Sequence, residues 1–176
     1  MLRYIFAPLL LAGLPAAAQT NPPTSFCTPT ETIVFACRTS ATRLVSVCAS
    51  QDAAQGKGYL QYRTGKPDPR EPLELVLPST KVPPPQAASG DTLAFSGGGG
   101  AWLRLSAKPF AYVVYTGIGK WGPRGEVQEK AGVTVERDGK PIANLKCMGK
   151  PVSLLGPDWF AKAGITDLGQ DFDLPD

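Results

Sequence analysis

The stretch VERDGKPI, residues 135–142, decides the fold class of this chain. Asp138-Gly139 stands between two strand-like runs, residues 132–137 and 140–147. Asp-Gly supplies the two positive-φ residues of a type I′ turn, whose twist suits paired strands. The stretch therefore predicts that the last two strands form a tight antiparallel hairpin.

Short strand-like runs recur along the whole chain, separated by clusters of Gly, Pro, Asp and Ser. The predicted strands are residues 32–39, 43–49, 58–64, 73–77, 92–95, 101–106, 110–116, 132–137 and 140–147. Regular short strands are typical of antiparallel sandwiches and barrels. We therefore expect an all-β fold, an antiparallel β-barrel or sandwich of about eight or nine short strands, in one domain over residues 27–165.

Three further segments are expected to lie outside the sheets. Residues 81–90, KVPPPQAASG, predict a surface loop in a polyproline-like conformation. Residues 155–165, LGPDWFAKAGI, predict one short C-terminal helix with Pro157 in its first turn and Gly164 as its stop. The acidic tail, residues 166–176, is expected to be partly loose, as chain ends often are.

The amino-terminal residues 1–18 have the layout of a secretory signal peptide. Arg3 precedes an apolar core, and small residues then lead to an Ala-x-Ala pattern that ends at Ala18. The apolar core is too short for a membrane span, which needs about 20 residues. We expect a periplasmic or secreted protein with no membrane anchor in its mature form. A flexible lead, residues 19–26, would precede the domain.

The charge balance excludes one class of partner. The sequence has 18 basic and 15 acidic residues, so removal of Arg3 with the signal peptide leaves a net charge of about +2. Nucleic-acid-binding domains usually carry a basic stripe or a much higher isoelectric point. No nucleic-acid partner is expected.

An even number of cysteines in an exported chain argues for two disulfides, with three possible pairings. The four are Cys27, Cys37, Cys48 and Cys147. If the first two predicted strands form a hairpin about Ser40-Ala41, Cys37 lies opposite Leu44. Cys48 then lies opposite Ile33, too far from Cys37 for a bridge. Two pairings remain, and of these we favour Cys27 with Cys48 and Cys37 with Cys147, which joins the first strand to the last.

The chain has no histidine, which removes the usual general base, the Ser-His-Asp arrangement and most zinc sites. No metal site and no cofactor is predicted. A glycan hydrolase that uses two carboxylates is the open enzymatic alternative. The available acids are Glu71, Glu74, Glu126, Glu129 and Glu136. None sits in a recognisable signature and each is more simply a solvated surface charge, so we expect the protein not to be an enzyme.

Residues 94–105, AFSGGGGAWLRL, hold four consecutive glycines between two strand-like runs. A phosphate-binding loop would need spaced glycines and a following helix, so a nucleotide site is rejected. Two interpretations stay open. The glycines form a hairpin connection or bulge, or they present bare backbone that enters a narrow cleft and faces an anionic oxygen. The second gives Ser96, Gly97, Gly98 and Gly99 a binding role.

Alternation predicts aromatic and basic side chains beside the glycines. Trp102 and Arg104 alternate with two leucines that suit the core, and Lys120 in TGIGKWG adds a further cation. Gln61 and Arg63 alternate in the same way in GYLQYRTG. Such displays suit protein interfaces and polysaccharides. The alternative is that the C-terminal helix covers Trp102.

Stretches spread over nearly the whole mature chain, among them VFACRTS, GYLQYRTG, SGGGGAWLRL and LGPDWF, resemble a family of exported Gram-negative proteins without an assigned activity. That resemblance implies export and a shared fold. A smaller set of features is similar to the bacterial inhibitors of C-type lysozyme, which are small periplasmic β-barrels. These features are Cys37, residues 96–99 with Trp102 beyond them, and Cys147.

The second resemblance implies a mode of binding. Ser96 and the amides of residues 97–99 would meet the catalytic acids of lysozyme, and Lys120 would supply the charge that a second loop of that family provides. The chain departs from the family in three ways: glycine replaces the second serine of the loop, the aromatic residue is displaced, and a proline loop and a C-terminal helix are added.

Together these observations predict an exported binding protein that presents the glycine-rich segment to a protein or polysaccharide of the envelope or extracellular space. Trp102, Arg104 and Lys120 are predicted to share this contact. The alternative is a structural or stress-related envelope protein with no ligand site. A carboxylate-dependent glycan hydrolase is the third reading.

Overall fold

The computed structural model describes residues 24–95 and 97–175, so the predicted signal peptide, residues 19–23 and Ser96 lie outside it. Within this part the chain forms ten strands and two short helices. The strands are β1 (Glu31–Ser40), β2 (Arg43–Ser50), β3 (Leu60–Gly65), β4 (Leu75–Leu77), β5 (Ser89–Phe95), β6 (Gly98–Ala107), β7 (Phe110–Gly119), β8 (Gln128–Arg137), β9 (Lys140–Lys146) and β10 (Val152–Ser153). The helices are α1 (Pro84–Ala87) and α2 (Pro157–Ala163).

The strands form two antiparallel sheets of five strands each. The first sheet has the order β10-β1-β2-β3-β4 and the second has the order β5-β6-β7-β8-β9. Val45, Val47 and Tyr62 of the first sheet share one buried cluster with Leu103 and Val114 of the second. The sheets therefore pack face to face as a sandwich rather than closing into a barrel, and the predicted all-β antiparallel fold is confirmed.

The hairpin that decided the fold class is confirmed. Arg137 pairs with Lys140, and the two residues between them have positive φ, 49° at Asp138 and 75° at Gly139. Asp-Gly thus gives the turn that its composition predicts. The structure adds one strand that the sequence pattern missed, because β10 has only two residues and pairs at the edge of β1.

Both predicted disulfides are present, Cys27–Cys48 and Cys37–Cys147. Cys48 lies opposite Ile33 as expected, whereas Cys37 lies opposite Val45 and not Leu44. The expected register was wrong by one residue at Cys37 because irregularities interrupt the β1–β2 pairing. The conclusion that Cys37 and Cys48 do not bridge was unaffected.

The predicted proline loop is only partly a loop. Residues Pro84–Ala87 form one helical turn, and β5 begins already at Ser89. Pro84 and Ala87 are buried rather than on the surface. Proline is tolerated in a first helical turn, because its missing N–H would have no partner there in any case. The prediction that residues 81–90 stay outside both sheets was therefore wrong.

The C-terminal helix ends as predicted. Pro157 occupies its first turn, and Gly164 terminates it in the left-handed conformation with φ of 69°. Phe160 lies buried in the cluster between the sheets, and Trp159 packs against that cluster. Helix α2 thus closes one end of the sandwich and leaves the outer face of the second sheet to the residues that follow.

The acidic tail packs against the second sheet, so the expectation of a loose tail was wrong. Phe172 is 9% exposed and lies over Trp102 and Tyr115, with ring centroids 6.0 and 5.8 Å apart. Farther along, the Lys130 ammonium donates to the Pro175 carbonyl at 3.0 Å. Apolar residues that alternate with aspartates in the tail hold it against the sheet, because burying them removes apolar surface from water.

Phe172→Ala is expected to lower the free energy of unfolding by about 2 kcal/mol, the value of burying one phenylalanine side chain. Urea unfolding checks the loss, and acrylamide quenching should show that Trp102 becomes more accessible. Leu168→Ala is the control, because Leu168 belongs to the same tail but is 68% exposed. Equal losses in both variants would contradict the contribution assigned to Phe172.

Candidate functional site

Strands β5 and β6 are antiparallel neighbours, and Phe95 at the end of β5 pairs directly with Gly98 at the start of β6. Gly97 has φ of 77°, a conformation that other residues rarely adopt. Gly98 and the two glycines after it belong to β6 and pair with β5. The glycine run is therefore the end of a hairpin and not a free loop. Phe95, Gly97 and Gly98 are called the hairpin tip below.

Close packing explains part of the run. A Cβ atom at Gly98 would collide with the carbonyl group of Ile118, and one at Gly100 would lie 2.6 Å from the carbonyl oxygen of Thr116. Gly119 of the neighbouring strand leaves room for Trp121, whose ring would lie 2.8 Å from a Cβ atom there. Glycine thus lets strands and an indole approach more closely than side chains would allow.

Lys120 is the predicted site residue that the fold brings to the hairpin tip. It follows the last residue of β7, and its Cδ atom would lie 2.9 Å from a Cβ atom at Gly97. Lys120, Gly97 and Gly98 are all exposed. Four of the predicted residues, Gly97, Gly98, Gly99 and Lys120, therefore form one group, which combines bare backbone with a cation.

Trp102 is not displayed on the surface. It is 1% exposed and lies beneath Phe172. The cover comes from the tail, not from the C-terminal helix that the alternative interpretation proposed. Trp102 belongs to a small buried cluster with Val113 and Tyr115 on the outer face of the second sheet. In this structure its side chain has almost no surface to offer a partner.

Arg104 also lies beneath the tail, and its contacts are internal. Its guanidinium donates to both carboxylate oxygens of Glu136, at 3.0 and 2.9 Å. The same group donates to the Gln170 side chain and to the Asp171 carbonyl oxygen of the tail. Arg104 is thus a clamp between the sheet and the tail, and the expectation that it is displayed beside the glycines was wrong.

Not all carboxylates are the solvated surface charges that the sequence predicted. Glu136, expected as a solvated surface charge, is 7% exposed and paired with Arg104. The side chain of Glu31, a residue that the sequence pattern did not single out, is 1% exposed and pairs with Arg63 at 2.6 Å. Each of these two acids is thus held in an ion pair with an arginine. For Glu31 the hydrogen bonds from Arg63 help to lower the pKa, which favours the ionised carboxylate rather than a proton donor.

Within residues 24–95 and 97–175, no group of three or more His, Cys, Asp and Glu side chains is placed to hold a metal ion. No helix in that part of the chain is long and apolar enough to cross a membrane. The predictions of no cofactor and no enzyme activity stay predictions.

No protein-family model, curated protein or solved structure matches this chain. Both resemblances noted for the sequence therefore stay predictions. A function for this chain is argued from the positions of its own residues.

Proposed function

We propose that this chain is an exported binding protein that inserts its hairpin tip, together with Lys120, into a narrow acidic cleft of a protein partner. The observation that carries the proposal is the position of Lys120, whose aliphatic chain lies against Gly97 at the exposed, glycine-rich end of a hairpin. A cation beside bare backbone N–H groups is complementary to carboxylates at the bottom of a cleft.

The position of the hairpin tip favours this role. Strand β5 is an edge strand, while β6 pairs with β7 over nine residue pairs from Gly99 to Ala107. The tip is therefore anchored on a rigid sheet, so little conformational entropy is lost when a partner binds it. Export is supported by the signal-like residues 1–18 and by two disulfides, which are compatible with a periplasmic or extracellular protein.

Lysozyme of the C type is the partner that the sequence resemblance implies, and its active-site acids fit the chemistry of the tip. Purified, oxidised protein is expected to slow the clearing of a cell-wall suspension by this lysozyme. Lys120→Ala should weaken the inhibition at least about tenfold, because a cation facing buried acids is lost. A turbidity assay over a range of inhibitor concentrations measures both effects.

Lys140→Ala is the matched control, since Lys140 is an exposed lysine at the β8–β9 turn, away from the hairpin tip. It should inhibit like the wild type. No inhibition at a large molar excess, or equal weakening by both variants, would reject the proposal. Absence of inhibition would instead favour a structural envelope protein without a ligand site.

A further inference from the structure

Three neighbouring depressions meet at one end of β8. Their volumes are about 520, 420 and 280 Å³, and all three are lined by Glu129 and Ala131. Trp121, Gln128 and Lys146 line the first, and Lys150 lines the other two. Because they share these lining residues, the three depressions adjoin one another around the end of β8, and together they are here called the β8 groove.

The groove exists because β8 extends beyond its neighbour. Strand β9 pairs with β8 only from Gly132 onward, and one further main-chain bond joins the Cys147 N–H to the Ala131 carbonyl. The chain then crosses to the first sheet, where the Met148 N–H donates to the Arg38 carbonyl. Residues 128–130 are thus left without β9 beside them, which opens space at the sheet edge.

An aromatic wall borders the groove. The indole of Trp121 lies over Gly117 and Gly119, where Cβ atoms would come within 3.1 and 2.8 Å of the ring. Phe95 supports it at a centroid distance of 5.2 Å. The Lys130 ammonium also lies over the ring, 4.9 Å from its centroid. These neighbours fix the ring before any ligand arrives, and the part of the ring that lines the groove can bind the apolar face of a sugar at low entropic cost.

Polar groups line the same wall. Gln128 is exposed and offers both a donor and an acceptor. Burial raises the pKa of Tyr115, whose hydroxyl therefore stays protonated and donates to the Asn144 side chain at 2.8 Å.

Positive charge predominates along the groove. Lys146 and Lys150 are both exposed, and neither has a carboxylate within ion-pair distance in the described part of the chain. Lys130, also in the lining, is already engaged with the Pro175 carbonyl and helps to hold the tail. Glu129 is the acid that all three depressions share. The groove therefore favours an anionic ligand.

We propose that the β8 groove binds a linear acidic saccharide. One sugar ring covers Trp121, hydroxyl groups bond with Gln128, and carboxylates of successive residues meet Lys146 and Lys150. The three adjoining depressions offer room for more than one sugar ring. The groove adjoins the hairpin tip, because Phe95 packs on Trp121, but it uses different cations and does not depend on the protein partner proposed for the tip.

Isothermal titration calorimetry of the oxidised protein with tetragalacturonate at low ionic strength tests the proposal. We expect one binding site, with no measurable binding of the neutral tetrasaccharide maltotetraose. The double variant Lys146→Ala/Lys150→Ala should bind at least about tenfold more weakly, and added salt should weaken binding by the wild type. Trp121→Ala should weaken binding as well, through the loss of the aromatic surface rather than of charge.

The matched control is Lys108→Ala/Lys140→Ala, which removes two exposed lysines at the opposite turns of the same sheet. It should bind within about twofold of the wild type. Thermal unfolding of each variant establishes that it is folded. Absence of binding by the wild type, equal binding of the neutral tetrasaccharide, or equal weakening by both double variants would overturn the proposal. The calorimetric test contains no lysozyme, so the saccharide proposal and the lysozyme proposal can fail independently.

Discussion

Replacing Cys37 and Cys147 together with alanine is expected to lower the free energy of unfolding by about 5 kcal/mol. The bond spans 110 residues and joins β1 of the first sheet to the residue after β9 of the second. A cross-link over so long a segment removes many conformations from the unfolded chain, which raises the free energy of that state. Urea unfolding of the oxidised wild type and variant measures the difference.

The other disulfide provides the comparison. Cys27–Cys48 spans only 21 residues, so its replacement by two alanines should cost about 3 kcal/mol. The order of the two losses tests the explanation more sharply than either value. If removal of Cys27–Cys48 lowered the free energy of unfolding more than removal of Cys37–Cys147, the disulfides would not stabilise the fold mainly by restricting the unfolded chain.

Local chemistry made several parts of the fold predictable. Asp138-Gly139 required two positive-φ residues in a row, and this requirement alone identified the last hairpin. Gly164 ended α2 for a similar reason. The hairpin register excluded one of the three cysteine pairings, because Cys37 and Cys48 could not be neighbours across it. In each case the deciding interaction lies within a few residues or one strand pair.

The burial of Trp102 and Arg104, which were predicted to be exposed, could not be predicted from such local interactions. Alternation correctly placed Trp102 and Arg104 on one face of β6, but it does not say whether that face is covered. The cover is the tail, whose acidic composition suggested a solvated end. Phe172 and Leu174 alternate with aspartates there, and this pattern was the signal that a short strap packs on a sheet.

A terminal segment also covers the outer face of the first sheet. Gln61 and Arg63 are buried on its outer face, where residues of the expected flexible lead lie over them. The Phe26 N–H donates to the Ser46 hydroxyl, and the Phe26 carbonyl accepts from Arg63. Each outer face of the sandwich is thus covered by a terminal segment. The hairpin tip with Lys120 stays exposed because neither segment reaches it.

Arg63→Ala is expected to lower the free energy of unfolding by about 3–5 kcal/mol, because it leaves a buried carboxylate without its cation. The side chain of Glu31 is 1% exposed, and Arg63 donates to both of its oxygens at 2.6 and 2.7 Å. Arg43→Ala is the matched control, since Arg43 pairs with Glu74 at 2.7 Å while both side chains are about 40% exposed. An exposed pair contributes at most about 1 kcal/mol.

The same ion pair should make stability depend on acid. Burial alone would raise the pKa of Glu31, but hydrogen bonds from Arg63, the Thr28 N–H and the Tyr59 hydroxyl lower it from 4.5 to about 2. Because the folded protein binds this proton less readily than the unfolded chain, the stabilisation is complete above about pH 5 and is lost as the pH falls towards 2. The stability advantage of the wild type over Glu31→Gln should therefore narrow across this window in urea unfolding at a series of pH values. An advantage that stayed constant down to pH 2 would show that the ionised carboxylate is not what stabilises the fold.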